Sequence, residues 1–133
     1  EEMSKHWDVQ YTNWTTPLAM AQLLDVFYQK KPLSETSSAF LMKIMTESAN
    51  SSNRIKGLLP AGTIVAHKTG TSNTNEQGKT AATNDVGIIT LRNGKHIALV
   101  VFVSDSMETH ETNERIIAEI AKMTFDYFSG KDK

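Results

Sequence analysis

Apolar residues recur at helical spacing in three parts of the chain and gather into short runs in three others. Leu18, Ala21, Leu24 and Phe27, with Met20 and Leu23 beside them, fall on one helical face and read as core. Thr16 supplies a hydroxyl cap, Pro17 fits the first helical position, and Lys30-Lys31-Pro32 stops the helix. A second helix is expected from Ser34, with Glu35 in its first turn and Phe40, Leu41, Ile44, Met45 and Ser48 turned inward. Its methionines read as gap fillers. Near the C-terminus, Thr109 to Glu114 is polar and helix-initiating. Ile116, Ile117, Ile120, Met123, Thr124 and Tyr127 then form the inward stripe of a helix that frays at Ser129-Gly130.

Between these helices the period changes. Ala49-Asn50-Ser51-Ser52-Asn53 is a turn cluster, and Arg54 to Gly62 is expected to form a short helix and a tight turn. Ile64-Val65-Ala66 has the composition of a buried strand that runs out into His67-Lys68-Thr69-Gly70-Thr71-Ser72. Most of the polar stretch Asn73 to Asp85 reads as a hairpin tip. Val86 to Leu91 is a strand, joined through Asn93-Gly94, the strongest short hairpin signal in the chain, to a strand over Ile97 to Val103. That last run is apolar on successive positions, so both of its faces should be covered. Residues 1–16 lack either period and carry two tryptophans, as a packed surface loop would. The fold class is therefore α+β, with helices packed on an antiparallel sheet. Helices fall within 17–62, three antiparallel strands within 63–103, and a C-terminal helix over 110–129.

Composition narrows the function classes. The 133 residues carry a formal net charge of −1, which gives no electrostatic case for nucleic acid. No apolar run is long enough to cross a bilayer, and no signal peptide is recognisable. Cysteine is absent, which removes disulfides and thiolate chemistry. His6, His67, His96 and His110 are scattered without ligand spacing, so no metal site and no cofactor are read. The opening Glu1-Glu2-Met3 suggests an upstream portion beyond this sequence.

The candidate chemistry sits where the first strand turns polar. Lys68, Thr69 and Thr71 offer a fixed positive charge, two hydroxyls and backbone N–H groups, all aimed along one line. Gly70, without a Cβ, lets a ligand approach. K-T-G is one of three elements found together in class A β-lactamases and penicillin-binding proteins, beside S-x-x-K and S-D-N. With Leu59-Pro60-Ala61-Gly62-Thr63 at the family's distance from Lys68-Thr69-Gly70-Thr71, and Gln10-Tyr11-Thr12-Asn13-Trp14-Thr15-Thr16-Pro17 similar to the later part of its Ω-loop, the chain resembles the C-terminal half of a class A serine β-lactamase. The nearest likeness is the branch that includes the PER, VEB and CfxA types.

The resemblance implies a partial β-lactamase/transpeptidase-like fold and β-lactam hydrolysis through an acyl-serine intermediate in the intact enzyme. Lys68 and Thr71 would then be catalytic, the N–H of Thr71 being one of two oxyanion donors, and Thr69, Gly70, Ser72 and Arg54 would bind substrate. Many members carry an arginine on the strand after K-T-G; Thr83-Asn84-Asp85 has none, and Arg54 is placed as the substitute cation, with a solvated surface role as the alternative. His67 points to the opposite face from Lys68 and reads as structural.

Departures from the family pattern matter as much. No serine stands three residues before a lysine, so S-x-x-K is absent; Ser104-Asp105-Ser106 comes nearest to S-D-N but follows the last strand. The family's general-base glutamate would fall just before Glu1, leaving Glu1 or Glu2 as shifted replacements or plain surface carboxylates. The chain is expected to be inactive alone. A transpeptidase fragment and an inert domain remain alternatives. Expected partners are a β-lactam and either the N-terminal half of the same enzyme or a second copy pairing through an open sheet edge; the resemblance places the enzyme in the periplasm or outside the cell.

Overall fold

The computed structural model describes residues 6–29, 33–49 and 52–130. The expected roles of Glu1, Glu2 and Met3, the Lys30-Lys31-Pro32 stop and part of the 49–53 turn lie outside the described residues. A 3₁₀ turn at Trp7–Tyr11 leads to helices α1 (Pro17–Tyr28) and α2 (Glu35–Glu47), strands β1 (Val65–Thr71), β2 (Thr80–Thr90) and β3 (His96–Ser106), and helix α3 (His110–Gly130). The hydroxyls of Thr16 and Ser34 accept from the N–H groups of Ala19 and Ser37 at 3.1 and 3.2 Å, so both expected helix starts hold.

The strands form one antiparallel sheet in the order β1-β2-β3. Side-chain alternation divides its core in two. Val65, Ile89, Leu91, Leu99 and Val101 pack with Ile55 against Ile117, Ala121 and Phe125 of α3. Ala66 and Ile88 pack on the other face against Leu24 and Phe27 of α1 and Met45 of α2. Helices therefore flank the sheet on both sides.

Several boundaries differ from the sequence expectation. Residues 54–62 form no helix. Successive turns run through them, closed by Gly57 N–H to Arg54 O at 2.7 Å and Thr63 N–H to Pro60 O at 3.1 Å. Strand β1 carries the whole of Lys68-Thr69-Gly70-Thr71 within it. Residues 80–85, expected in the hairpin tip, belong to β2, and β3 runs on to Ser106. Their ladder bonds to two neighbouring strands outweigh the low strand preference of Asn and Asp.

Helix faces differ too. In α3 the buried residues are Asn113, Ile117, Ala118, Ala121 and Phe125, whereas Met123 is 71% exposed and Ile116, Ile120 and Tyr127 stand with it on the outer side. Leu18 and Phe40, expected in the core, are 70% and 64% exposed, and Leu23, Leu41 and Ile44 are exposed with them. In β3, Leu99 and Val101 are buried but Ala98 is exposed, so only one face is fully covered.

The 7–14 segment is fixed to the sheet at one carboxylate. Tyr11 Oη donates to Asp105 Oδ1 at 2.6 Å, and Lys79 Nζ, from the β1–β2 connection, lies 3.4 Å from the same oxygen. Asp105 has a left-handed backbone, φ 51°. The Tyr11 hydrogen bond, then the Lys79 charge, hold the Asp105 carboxyl below its ordinary range, and the same hydrogen bond raises the Tyr11 phenol.

Two outcomes follow. Stabilisation from Asp105 is present above the ordinary aspartate range and lost as pH falls through the lowered value; that from Tyr11 is present below the ordinary tyrosine range and lost as pH rises through the raised one. Asp105→Asn should therefore bring the Tyr11 titration back down toward its ordinary value, read by ultraviolet difference titration; an unmoved Tyr11 contradicts the tie. At Gly87, a Cβ would meet Ala66 O at 2.7 Å and His67 Cβ at 2.8 Å. Gly87→Ala should lower stability by about 1–3 kcal/mol through overpacking, measured as a drop in urea midpoint.

Candidate active site

The edge position of β1 decides what its polar residues can do. Thr90 N–H donates to Ile64 O and Ser72 N–H to Ala82 O, each at 2.9 Å, at the two ends of a register that pairs Lys68 with Val86 and Thr71 with Thr83. In an antiparallel pair, hydrogen-bonded and non-bonded positions alternate. The bonded positions are the even-numbered ones of β1, so Thr69 and Thr71 direct their N–H and C=O groups away from β2. Among the described residues no strand lies on that side. The Thr71 amide is thus presented at an open edge, as an oxyanion donor must be.

Side chains divide across that edge. Lys68 and Gly70 share the face of Ala66, toward α1 and α2; Thr69 and Thr71 share the face of Val65 and His67. The expectation that lysine and hydroxyls are aimed along one line is corrected accordingly: they approach the edge from opposite faces, because neighbouring residues of a strand alternate. Lys68 is exposed and its Nζ donates to the carbonyl of Thr69. Gly70 has open space where a Cβ would stand. Ser72 closes the ladder, its Oγ accepting from Ala82 N at 2.9 Å and donating to Asn73 O at 3.1 Å.

An open cavity of about 970 Å³ adjoins this strand end. Gly70, Thr71 and Ser72 form one wall, Tyr11 and Trp14 of the N-terminal segment another, and Asn84 and Phe102 the floor. Lys68 is not among the lining residues; it lies one step further along the face of Gly70.

Arg54 is the residue the sequence placed least well. It sits in a turn and is 4% exposed, which corrects both the helix and the solvated alternative. Nη1 donates to the carbonyls of Gly70 and Asn84 at 3.0 and 2.8 Å, Nη2 to Thr71 Oγ1 at 2.6 Å, and Nε to Glu114 Oε1 at 3.1 Å. Glu114 offsets the cost of burying the guanidinium. Because the Thr71 oxygen accepts from Arg54, its own proton is left to donate outward. The arrangement can bind an anion at the strand edge through a hydroxyl that a buried cation polarises.

Two partnered carboxylates escaped the sequence reading. Asp85, within the stretch expected as a hairpin tip, is 0% exposed and meets His67 Nδ1 at 2.9 Å. Glu114, expected only as a helix-initiating residue, holds Arg54. For Asp85 the sole signal was a lone acid among threonines, alanines and one asparagine in 80–85, and its partners are distant in sequence.

Comparison with known proteins then fixes the family. Residues 2–128 match the β-lactamase enzyme family. The chain is 55% identical to β-lactamase VEB-1 of Pseudomonas aeruginosa, covering 98% of this chain and 44% of that protein. It is 52% identical to the extended-spectrum β-lactamase PER-1 of the same organism, covering 95% and 41%. Among solved structures, the TLA-1 extended-spectrum β-lactamase aligns with a TM-score of 0.95 at 58% identity, covering 96% of this chain and 46% of that one. The chain thus spans a little under half the length of these relatives, and with a family match along nearly all of its residues it belongs to the class A β-lactamases.

Proposed function

We propose that this chain supplies the anion-binding and oxyanion wall of a β-lactam-hydrolysing site that works through an acyl-serine intermediate. The observation that carries the reading is the Thr71 edge: an N–H turned away from β2, and a hydroxyl that accepts from the buried Arg54 at 2.6 Å beside an open cavity. The names of the relatives, β-lactamases throughout, support it.

In this reading Lys68 supplies positive charge near the reacting serine and the substrate carboxylate. The hydroxyls of Thr69 and Thr71 donate to that carboxylate, and Arg54 acts through Thr71. The Thr71 N–H stabilises the oxygen of the carbonyl under attack, where one lost donor costs on the order of 10²–10³ in rate. Gly70 leaves room for the substrate, and Ser72 sets the width of the site at the strand end. No S-x-x-K or S-D-N occurs in these residues. The nucleophile, its lysine and the general base are therefore assigned to further polypeptide of the same enzyme, and the chain alone is inactive. Periplasmic or extracellular placement goes with this reading.

The same polypeptide is the proposed cover for the outer faces. The edges of β1 and β3 are uncovered among the described residues, and Phe40, Met123 and Tyr127 are exposed on α2 and α3. An apolar strand edge left bare is a template for pairing with another chain.

The purified chain mixed with a chromogenic cephalosporin should give no turnover, and adding the remaining half in trans should restore it; turnover by the chain alone contradicts the assignment of the nucleophile. Alone, the chain should self-associate in light scattering, and a stable monomer would count against the open edges. In the full-length protein, Thr71→Val and Arg54→Ala should each lower kcat/KM by about 10–150-fold, the worth of a hydrogen bond to a charged group. Unchanged kinetics in both would remove the anion-binding wall.

A further inference from the structure

His67 and Asp85 are buried to 1% and 0% exposure, and neither touches the cavity described above. Removing a carboxylate from water costs several kcal/mol unless its oxygens are well partnered. Here Oδ1 and Oδ2 lie 3.0 and 2.9 Å from His67 Nδ1, and Oδ2 accepts from the backbone N–H of Ile55 at 3.1 Å. An ionised carboxylate only accepts, so the tautomer that satisfies this contact is the one with the proton on His67 Nδ1.

The Ile55 bond matters because of what precedes it. Arg54 is the neighbouring residue, and the segment that carries it is a series of turns with no helical ladder of its own. The Lys56 ammonium ties its far side to the carbonyls of Thr46 and Ser48, and on the sheet side it is held by the Ile55 side chain in the core, the Arg54–Glu114 ion pair and the Asp85 carboxylate on the Ile55 amide. Asp85 also stands directly opposite Thr69 in the β1–β2 register. One carboxylate thus links β2, β1 through His67, and the turn that aims Arg54 at Thr71.

We propose that Asp85 and His67 are positioning residues for the anion-binding edge, holding the 54–57 turn from within the sheet so that Arg54 meets the Thr71 hydroxyl. This rests on the reading of Arg54 and Thr71 given above. Asp85 acts at one remove, through the Ile55 amide; His67 orients the carboxylate and keeps its charge from facing Thr69 without a donor. In Asp85→Asn the amide oxygen can still accept from Ile55, but the nitrogen can meet Nδ1 only if the imidazole moves its proton to Nε2. That atom has no partner among the described residues.

The test is a set of penicillin hydrolysis measurements on the full-length protein, at a temperature where circular dichroism shows each variant folded. Asp85→Ala should raise KM by about tenfold with a much smaller change in kcat, since a displaced Thr71 hydroxyl weakens carboxylate binding first. Asp85→Asn and His67→Asn should fall between Asp85→Ala and the parent. The double variant Arg54→Ala with Asp85→Ala should be no worse than Arg54→Ala alone, because both act through Thr71. Should Asp85→Ala fail to fold, the Arg54 Nε–H resonance in Asp85→Ser, which removes the carboxyl group from the Ile55 amide, replaces it: a shift supports the tether and an unmoved signal overturns it. Full multiplication of the two effects, or a lowered melting temperature with unchanged KM, would make the pair ordinary core and overturn the proposal while leaving the anion-binding wall standing. Silence in Arg54→Ala would overturn this proposal, and silence in Thr71→Val as well would overturn the wall with it.

Discussion

One buried cation organises the active edge of this chain. Arg54 gives up its hydration to join four groups from three elements: Gly70 O and Thr71 Oγ1 of β1, Asn84 O of β2, and the Glu114 carboxylate of α3. A guanidinium can do this because its donors lie in a rigid planar fork. Its burial is tolerable only because Glu114 lies 3.1 Å away and the carbonyls take up remaining protons. The consequence reaches the strand edge through Thr71, whose hydroxyl oxygen accepts from Arg54 and whose proton and backbone N–H are left to face outward.

Sheet geometry sets the second constraint. Alternation separates two apolar clusters, one under α3 and one under α1 and α2, and the same alternation sends Lys68 to one face and the threonines to the other. An interior strand with those side chains would satisfy its N–H groups in two ladders. At the edge, every second amide is left without a ladder partner among the described residues, so position in the sheet leaves the Thr71 amide accessible. Gly70 and Thr71 belong both to the pocket wall and to the open edge.

Much of this was legible in the sequence where the signal is local. Caps at Thr16-Pro17 and Ser34, the Asn93-Gly94 hairpin and the spacing from Leu59-Pro60-Ala61-Gly62 to Lys68-Thr69-Gly70 need only a few neighbouring residues. What failed depends on distant partners. Thr80 to Asp85 looked like a loop by composition, yet pairing with β3, and from Thr83 on with β1 as well, holds it in β2. Helix α3 is apolar on two sides, and the periodicity alone could not say that Ile117, Ala121 and Phe125 face the sheet while Met123 and Tyr127 face out. Burial of Arg54, His67 and Asp85 was invisible because each is compensated by a residue far along the chain.

The most direct measurement is a crystal structure of the full-length protein trapped as an acyl adduct with a penicillin. The ligand carboxylate is expected within about 2.6–3.1 Å of the Thr69 and Thr71 hydroxyls, and the acyl carbonyl oxygen at the same range from Thr71 N. A carboxylate held elsewhere, with the Thr71 amide paired into a neighbouring strand, would contradict this expectation.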